Sequence, residues 1–334
     1  MSVDVTTFAP GRVNLIGDHT DYMGGLAMPM AIQLGTTVRA RRAGRRVELV
    51  SSDADDTLRL ELPVADAASV EPAWGRYVAG VAQQLGATLG LMGSVSSDLP
   101  IGAGLSSSAS LEVAVALALG ADAGTRELAE LCQRAEQSAT GMPCGIMDQL
   151  AIAAGVRGHA LRLDCATLEI RPVLVPGHAR FWVVHSGEHR RLVGSEYATR
   201  RAQAEAAQRL VGPLRQATAE DIESIEDPVL RRRARHVRSE CARVDAFADA
   251  LERGDLAGCG ALMDASHASL RDDYEVSTHA LDELVARLRA TPGVHGARLT
   301  GAGFGGCVVA LAEPGVELDG WRVEPSEGAR VLSD

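Results

Sequence analysis

The nine residues Val113–Ala121, "VAVALALGA", are the most apolar segment of this 334-residue chain. A bilayer span needs about 20 apolar residues, so the segment is too short to cross a membrane and reads as a buried helix. A helix without a polar face must be covered by other elements, and this decides what the rest of the chain has to supply. "TTVRARR" (36–42), "RVELV" (46–50) and "TLRLEL" (57–62) alternate apolar and polar residues, as half-buried strands do. Trp74, Val78, Val81, Leu85 and Leu89 recur at helical spacing. "SVSSDLP" resembles a short strand, and a further helix is expected over 125–138. Strand-like alternation returns at 159–164, 168–175 and 180–185, and residues 195–290 read as mostly helical, with a long helix over 228–253 and another starting at Ser277. "ARLTGAGFGGCVVALAE" (297–313) reads as strand, glycine turn, strand. Strands and helices mix in both halves, which predicts an α+β protein of two domains, residues 1–160 and 161–334.

Composition removes several classes of function. A net charge of −11 argues against general nucleic-acid binding, which needs a basic footprint. The one basic cluster, "RRRARHVR" at 231–238, reads as the solvated face of a helix. All 33 Lys-plus-Arg positions are arginine, and Asn14 is the one asparagine. A chain without lysine has no Walker A loop, no strand lysine of a protein kinase and no Schiff-base lysine. Any phosphate it handles must meet backbone amides, helix N-termini, arginine or metal. Cys132, Cys144, Cys165, Cys241, Cys259 and Cys307 are scattered, without paired metal spacing or a dense disulfide framework. "MSVDVTTFAP" has neither the basic start nor the apolar stretch of a secretory signal. A soluble, cytoplasmic protein is expected, with no membrane or nucleic-acid partner.

Three stretches carry chemistry. "GRVNLIGDHTDYMGG" (11–25) crowds Arg12, Asn14, Asp18, His19 and Asp21 among glycines. Glycine and aspartate suit turns, but this many polar groups also suits a small polar ligand. "PIGAGLSSSAS" (100–110) puts glycines and serines directly before the apolar helix. Glycines let backbone approach a ligand, the first helical turn offers free N–H groups, and a serine hydroxyl can ligate Mg²⁺. A single N-cap would need only one serine, so a phosphate cradle is the better reading. "CGIMDQ" holds Asp148 in a glycine-punctuated apolar setting, where a carboxylate must be solvated, capping, paired or functional. Glu136 taken alone reads as a solvated helix residue, and glycines between strands, as in "TGAGFGGC" (300–307), often mark only tight turns or bulges.

"APGRVNLIGDHTDYMGG", "PIGAGLSSSASLEVAVALAL" and "LTGAGFGGCVVAL" resemble, in order, the three motifs of the GHMP small-molecule kinases. Within that superfamily the first resembles the galactokinase signature, and "CGIMDQ", "VGSEYATRR" (193–201) and "SHASLRDDYEVS" (266–277) resemble further galactokinase segments. The resemblance spans roughly residues 8 to 312. It implies an N-terminal α/β domain and a C-terminal ferredoxin-like α+β domain, with ATP and sugar in the cleft between them. It implies MgATP-dependent phosphorylation of D-galactose at the anomeric hydroxyl. Carried over by position, Gly102, Ala103, Gly104, Leu105, Ser106, Ser107 and Ser108 would wrap the ATP phosphates, and Ser108 with Glu136 would hold Mg²⁺. Asp148 would be the catalytic aspartate and Arg12 its neighbouring arginine. Asp18, His19, Thr20, Asp21, Gly145 and Tyr197 match sugar-contacting positions. A monomer or weak homo-oligomer is expected.

The sequence departs from the pattern at Asp18, where galactokinases usually carry glutamate, one methylene longer. Ala302 stands where glycine is common, and the chain is short for the family. A shorter acid can lose a direct contact or admit a water. Two other readings therefore stay open at this level: a kinase for a related sugar (amino sugar, uronic acid or pentose), and an inactive regulator that binds ATP and sugar.

Overall fold

The computed structural model describes residues 3–54, 56–100, 102–141, 143–188 and 193–332, without the side chains of 193–195. Ile101 of the glycine–serine loop, Met142 and the first side chains of "VGSEYATRR" thus lie outside the described residues. In chain order the elements begin β1 (Val3–Asn14), β2 (Leu26–Ala27), β3 (Pro29–Arg42), β4 (Arg46–Ser51), β5 (Thr57–Glu61) and α1 (Gly75–Gln84). They continue with β6 (Leu91–Ser97), α2 (Ser107–Leu119), α3 (Thr125–Thr140), α4 (Met147–Ala154), β7 (His159–Asp164), β8 (Glu169–Leu174) and β9 (Arg180–His185). The helical stretch follows as α5 (Val193–Val211), α6 (Ala219–Glu223), α7 (Pro228–Glu252), α8 (Leu256–Asp272) and α9 (His279–Arg289). The chain ends with β10 (Val294–Thr300), β11 (Cys307–Ala312), β12 (Trp321–Val323) and β13 (Arg330–Leu332). No helix among the described residues is long and apolar enough to cross a membrane.

The strands form three sheets, ordered β13-β1-β3-β6-β4-β5, β10-β11-β9-β12 and β2-β7-β8. The C-terminal strand β13 thus pairs with β1 in the first sheet, across the division expected near residue 160. A continuous core joins the halves: Val13, Leu15, Met28 and Met30 pack in one cluster with Phe181, Val244, Phe247 and Val309. The apolar helix is α2, and its residues Val113–Ala116 and Ala118 have no solvent exposure. It ends at Gly120, whose φ of +94° closes the helix in the left-handed region.

Three elements differ from the sequence reading. β1 was not assigned from the sequence, and the structure carries its turn-prone Pro10-Gly11 pair as a register shift between Pro10 and Arg12. A side chain at Gly11 would meet the Leu105 carbonyl at 2.7 Å, so the bulge needs glycine. Its product is a bond from the Arg12 amide to the Leu105 carbonyl (3.1 Å), which pins β1 to the glycine–serine loop. α1 stops at Gln84, short of Leu89, because Gly86 turns to φ +58° and Leu89 is left exposed. The "RRRARHVR" cluster is a solvated face only in part: Arg235 and Arg238 are exposed, but Arg233 and His236 are buried. Arg233 donates to Gln203 Oε1 (2.8 Å), to the Asp273 carbonyl (2.5 Å) and to Glu275, so α7 is tied to α5 and to the loop after α8.

Candidate active site

A cavity of about 170 Å³ lies where β1, the loop after it, α3, α4, α5 and the β10–β11 turn converge. Arg12, Asp18, His19, Asp21, Glu136, Gly145, Asp148 and Tyr197 all line it. Eight of the positions singled out in the sequence, spread over residues 12–197, are therefore brought to one place.

Arg12 and Asp148 form its centre. Arg12 Nε donates to Asp148 Oδ1 and its Nη2 to Oδ2, both at 2.7 Å, in the two-pronged geometry that only arginine offers. Arg12 Nη1 donates to the Gly104 carbonyl (2.7 Å), so the same guanidinium also fixes the loop before α2. Ser106 Oγ donates to Asp148 Oδ2 at 2.5 Å. The Arg12 side chain is 7% exposed and that of Asp148 is 30% exposed, so the arginine is sealed in while the carboxylate faces the cleft.

The loop 102–108 presents backbone outward by anchoring its side chains inward. Ala103 and Leu105 are buried in the inter-half core. Gly102 and Gly104 take positive φ, and so does Ser106 at +61°, a conformation that costs a non-glycine residue energy and is held by its bond to Asp148. Ser107 and Ser108 open α2 and line a second cavity of about 320 Å³ with Trp74, Tyr77 and Leu111. Sequence reasoning took Trp74 only as a helix-face residue; the signal it lacked was the sheet that brings β3 and β6 opposite it. Its indole N–H is buried without a partner among the described residues.

Ser108 Oγ donates to Glu136 Oε1 (3.0 Å), and Gln149 Nε2 donates to Glu136 Oε2 (2.6 Å). Burial, followed by the negative charge of Asp148, raises the Glu136 carboxyl above its ordinary range. Both of these bonding partners are neutral. Among the described residues no three His, Cys, Asp or Glu side chains gather at metal-binding spacing.

The loop 17–25 builds the other wall. Asp21 is half-buried, and burial together with the charge of Asp148 raises its carboxyl to about 6. Gly145 faces it so closely that a Cβ there would sit 1.5 Å from Asp21 Oδ2, so only glycine leaves room for that carboxylate. His19 adopts φ +62° and is buried, and desolvation lowers its imidazole to about 4. Its Nε2 lies 3.1 Å from the Ala302 carbonyl, which can only accept, so the neutral ring carries its proton there. Nδ1 must then accept from Tyr22 Oη (2.9 Å), which in turn accepts from Tyr274 Oη (2.8 Å). Three of the four tyrosines in the chain, Tyr22, Tyr197 and Tyr274, ring this histidine. Only Tyr197 was singled out in the sequence.

Thr20 and Asp18 depart from the expectation. Thr20 has no exposure, and its hydroxyl lies 2.6 Å from the Leu26 carbonyl and 2.9 Å from that of Gly17. It shapes the loop and does not enter the cavity. Asp18 reaches the wall but is 2% exposed, with Oδ2 taken by Arg298 Nη2 (2.5 Å) and Oδ1 by the Gly301 amide (3.0 Å). Arg298 was missed in the sequence because it acts on a residue 280 positions away.

Comparison with known proteins agrees with this geometry. Residues 2–42 match the galactokinase galactose-binding signature, residues 76–156 the GHMP kinases N terminal domain, and residues 247–319 the GHMP kinases C terminal domain. The chain is 46% identical to the galactokinases of Homo sapiens and Bos taurus over 330 residues, covering 93% of this chain and 84% of each relative. A crystal structure of Lactococcus lactis galactokinase complexed with galactose superposes with a TM-score of 0.90 at 32% identity, covering 98% of this chain and 95% of that one. A mevalonate kinase structure at 22% identity shares the fold with a TM-score of 0.67. With a galactokinase signature at its N-terminus and both GHMP domains behind it, the chain belongs to the galactokinase family of GHMP kinases.

Proposed function

We propose that the protein transfers the terminal phosphoryl group of ATP to the anomeric hydroxyl of D-galactose, giving galactose 1-phosphate and ADP. The observation that carries this reading is the Arg12–Asp148–Ser106 constellation. It stands beside Ser108 and Glu136, which lead from the smaller cavity to the larger one. The larger cavity, beside the N-terminus of α2, takes the nucleotide, and the smaller one takes the sugar. On this reading the two functional domains divide near residue 160, with the closing strand β13 returning to the first of them.

Phosphoryl transfer depends on positioning and charge stabilisation more than on covalent chemistry. The free amides at the start of α2 and the glycine backbone of 102–104 bind phosphate oxygens. Asp148, exposed toward the sugar cavity, accepts or orients the proton of the attacking hydroxyl. Arg12 holds that carboxylate at two points and sets positive charge where negative charge develops. Asp21 accepts hydrogen bonds from sugar hydroxyls, and Gly145 leaves the room for it to do so.

The residues present fit a bound Mg²⁺. Glu136 carries a carboxylate whose bonding partners among the described residues are neutral, and it lies 3.0 Å from a serine hydroxyl at the start of a helix. Hard oxygen donors of this kind, with water and phosphate completing the set, suit the ion. Ser108 and Glu136 would hold it, and when bound it would neutralise charge on the ATP phosphates. The enzyme is expected to act in the cytoplasm as a monomer or weak homo-oligomer.

The test is a panel of hexoses, amino sugars, uronic acids and pentoses with MgATP and coupled ADP detection. Galactose should give the highest kcat/KM. Turnover of a different sugar with none of galactose would replace the substrate, and binding of both ligands without ADP formation would make the protein a regulator.

A further inference from the structure

Asp18 is the position at which the chain departs from the galactokinase pattern of its first motif, and its surroundings give that departure a physical reading. Its two carboxylate oxygens are both engaged, by Arg298 and by the Gly301 amide, and almost none of it reaches solvent. Arg298 is itself completely buried and cannot retreat. Its Nη1 donates to the Leu15 carbonyl (3.2 Å) and lies 3.4 Å from that of Asn14, while Nη2 stands 3.8 Å from Glu240 Oε1. Glu240 in turn accepts from the Gly17 amide (2.9 Å), and His236 Nε2 lies 3.0 Å from the Asp18 carbonyl. The backbone of 14–18 is therefore gripped at four places by groups from α7 and β10.

The grip continues one residue further. Asp18 takes the amide of Gly301, and His19 gives its Nε2 proton to the carbonyl of Ala302. Two adjacent residues of the sugar loop thus clasp two adjacent residues of the β10–β11 turn. Both sides bend through left-handed backbone: Gly301 at φ +82°, which glycine takes freely, and His19 at +62°, which costs a non-glycine residue energy and needs such support. With Arg298 held at 2.5 Å, a side chain one methylene longer would have to displace a buried guanidinium or turn its carboxylate into the cavity.

We propose that Asp18 is a positioning residue, locking the sugar loop onto the 301–302 turn through Arg298, and that it makes no hydrogen bond to the sugar. The proposal rests on the galactose-kinase reading, and its test separates the two. Wild type and Asp18→Asn are compared on galactose and on each monodeoxygalactose lacking one hydroxyl other than the anomeric one, which is the phosphoryl acceptor. A positioning residue raises the KM of every sugar by the same factor, roughly tenfold, with kcat and the ATP KM within about threefold of wild type. A merely structural role would move the ATP KM and kcat as well, which overturns the proposal. One monodeoxygalactose losing nothing in the variant, while the others lose, shows that Asp18 bonds that hydroxyl and also overturns it. Asp18→Glu, which keeps the charge opposite Arg298, is the second arm and decides alone where Asp18→Asn does not fold. It should weaken all the sugars alike, and galactose use equal to or better than wild type overturns the proposal. If wild type ignores galactose, the substrate reading fails instead, and the same cycle is run on deoxy forms of the sugar it does phosphorylate.

Discussion

Asp148 receives two hydrogen bonds from Arg12 and one from Ser106 and still presents nearly a third of its side chain to the cleft. Asp148→Asn keeps the size and removes the charge, so turnover should fall by roughly 10²–10⁴-fold. Galactose and ATP affinities, read by calorimetry, should stay near wild type, and near-normal turnover would move the chemistry to another group. Asp21 answers to pH instead. Its carboxyl is raised to about 6 by burial and by the charge of Asp148, so it becomes an ionised acceptor only as pH rises through that value. The kcat/KM for galactose should therefore climb between about pH 5 and 7, and Asp21→Asn should flatten that limb. His19, lowered to about 4, stays neutral over the same range and adds no limb of its own. Arg12 and Asp148, 136 positions apart, were picked out through the resemblance of their two motifs, and the sequence did not show that they pair. Arg298 and Tyr274 were not picked out, since each works through a partner more than 250 positions away.

At the scale of elements, α2 was the most legible and also carries the least expected group. Its apolar run could only be a buried helix, yet Glu112, the residue just before that run, has no exposure at all. Burial and the nearby charge of Glu136 raise its carboxyl well above the ordinary range. Among the described residues its one bonding partner is Gln149 Nε2, at 3.3 Å. That amide also bonds Glu136, so a buried acid in α2 stands behind the carboxylate read as a metal ligand. A folded-state value above the unfolded one means that the folded protein binds a proton the unfolded chain lacks, so stability is lost as pH rises above the ordinary value of 4.5. Glu112→Gln removes this dependence while keeping an acceptor for Gln149. Its melting temperature should exceed that of wild type near about pH 8 and converge with it as pH falls toward the unfolded value. A constant difference across pH would mean that Glu112 is ionised in the fold. β1 was illegible for a related reason: Pro-Gly is a turn signal, and only pairing with β3 on one side and the loop 102–108 on the other turns it into a bulge.

Across the whole molecule, the sequence pointed to two mixed halves, and the closing strand could not be placed because three residues carry no periodicity. Residues 325–332 run back over the first half. Ser326 donates its amide to Ala31, Gly328 to Gly155 and Ala329 to Ile152, at 2.8–2.9 Å, before β13 pairs with Thr6–Phe8 of β1. Arg330 lies over the Phe8 ring at 4.9 Å, whereas the Arg157–Glu327 pair is exposed and adds little. Ile152 lies in α4 and Gly155 just beyond its end, so this strap steadies the helix that carries Asp148. Each backbone bond contributes about 1 kcal/mol net, and losing the strap also leaves β1 as an open edge, a template for association. Ending the chain at Val323 should lower the melting temperature by roughly 5 °C or more and bring concentration-dependent aggregation. Ala329→Pro, which removes the bond to Ile152 and leaves the rest of the strap in place, should cost a fraction of that and leave the protein soluble. If the truncated chain melts with wild type, the strap is dispensable. If it melts lower while kcat holds, the strap supports the first sheet and not the placement of Asp148.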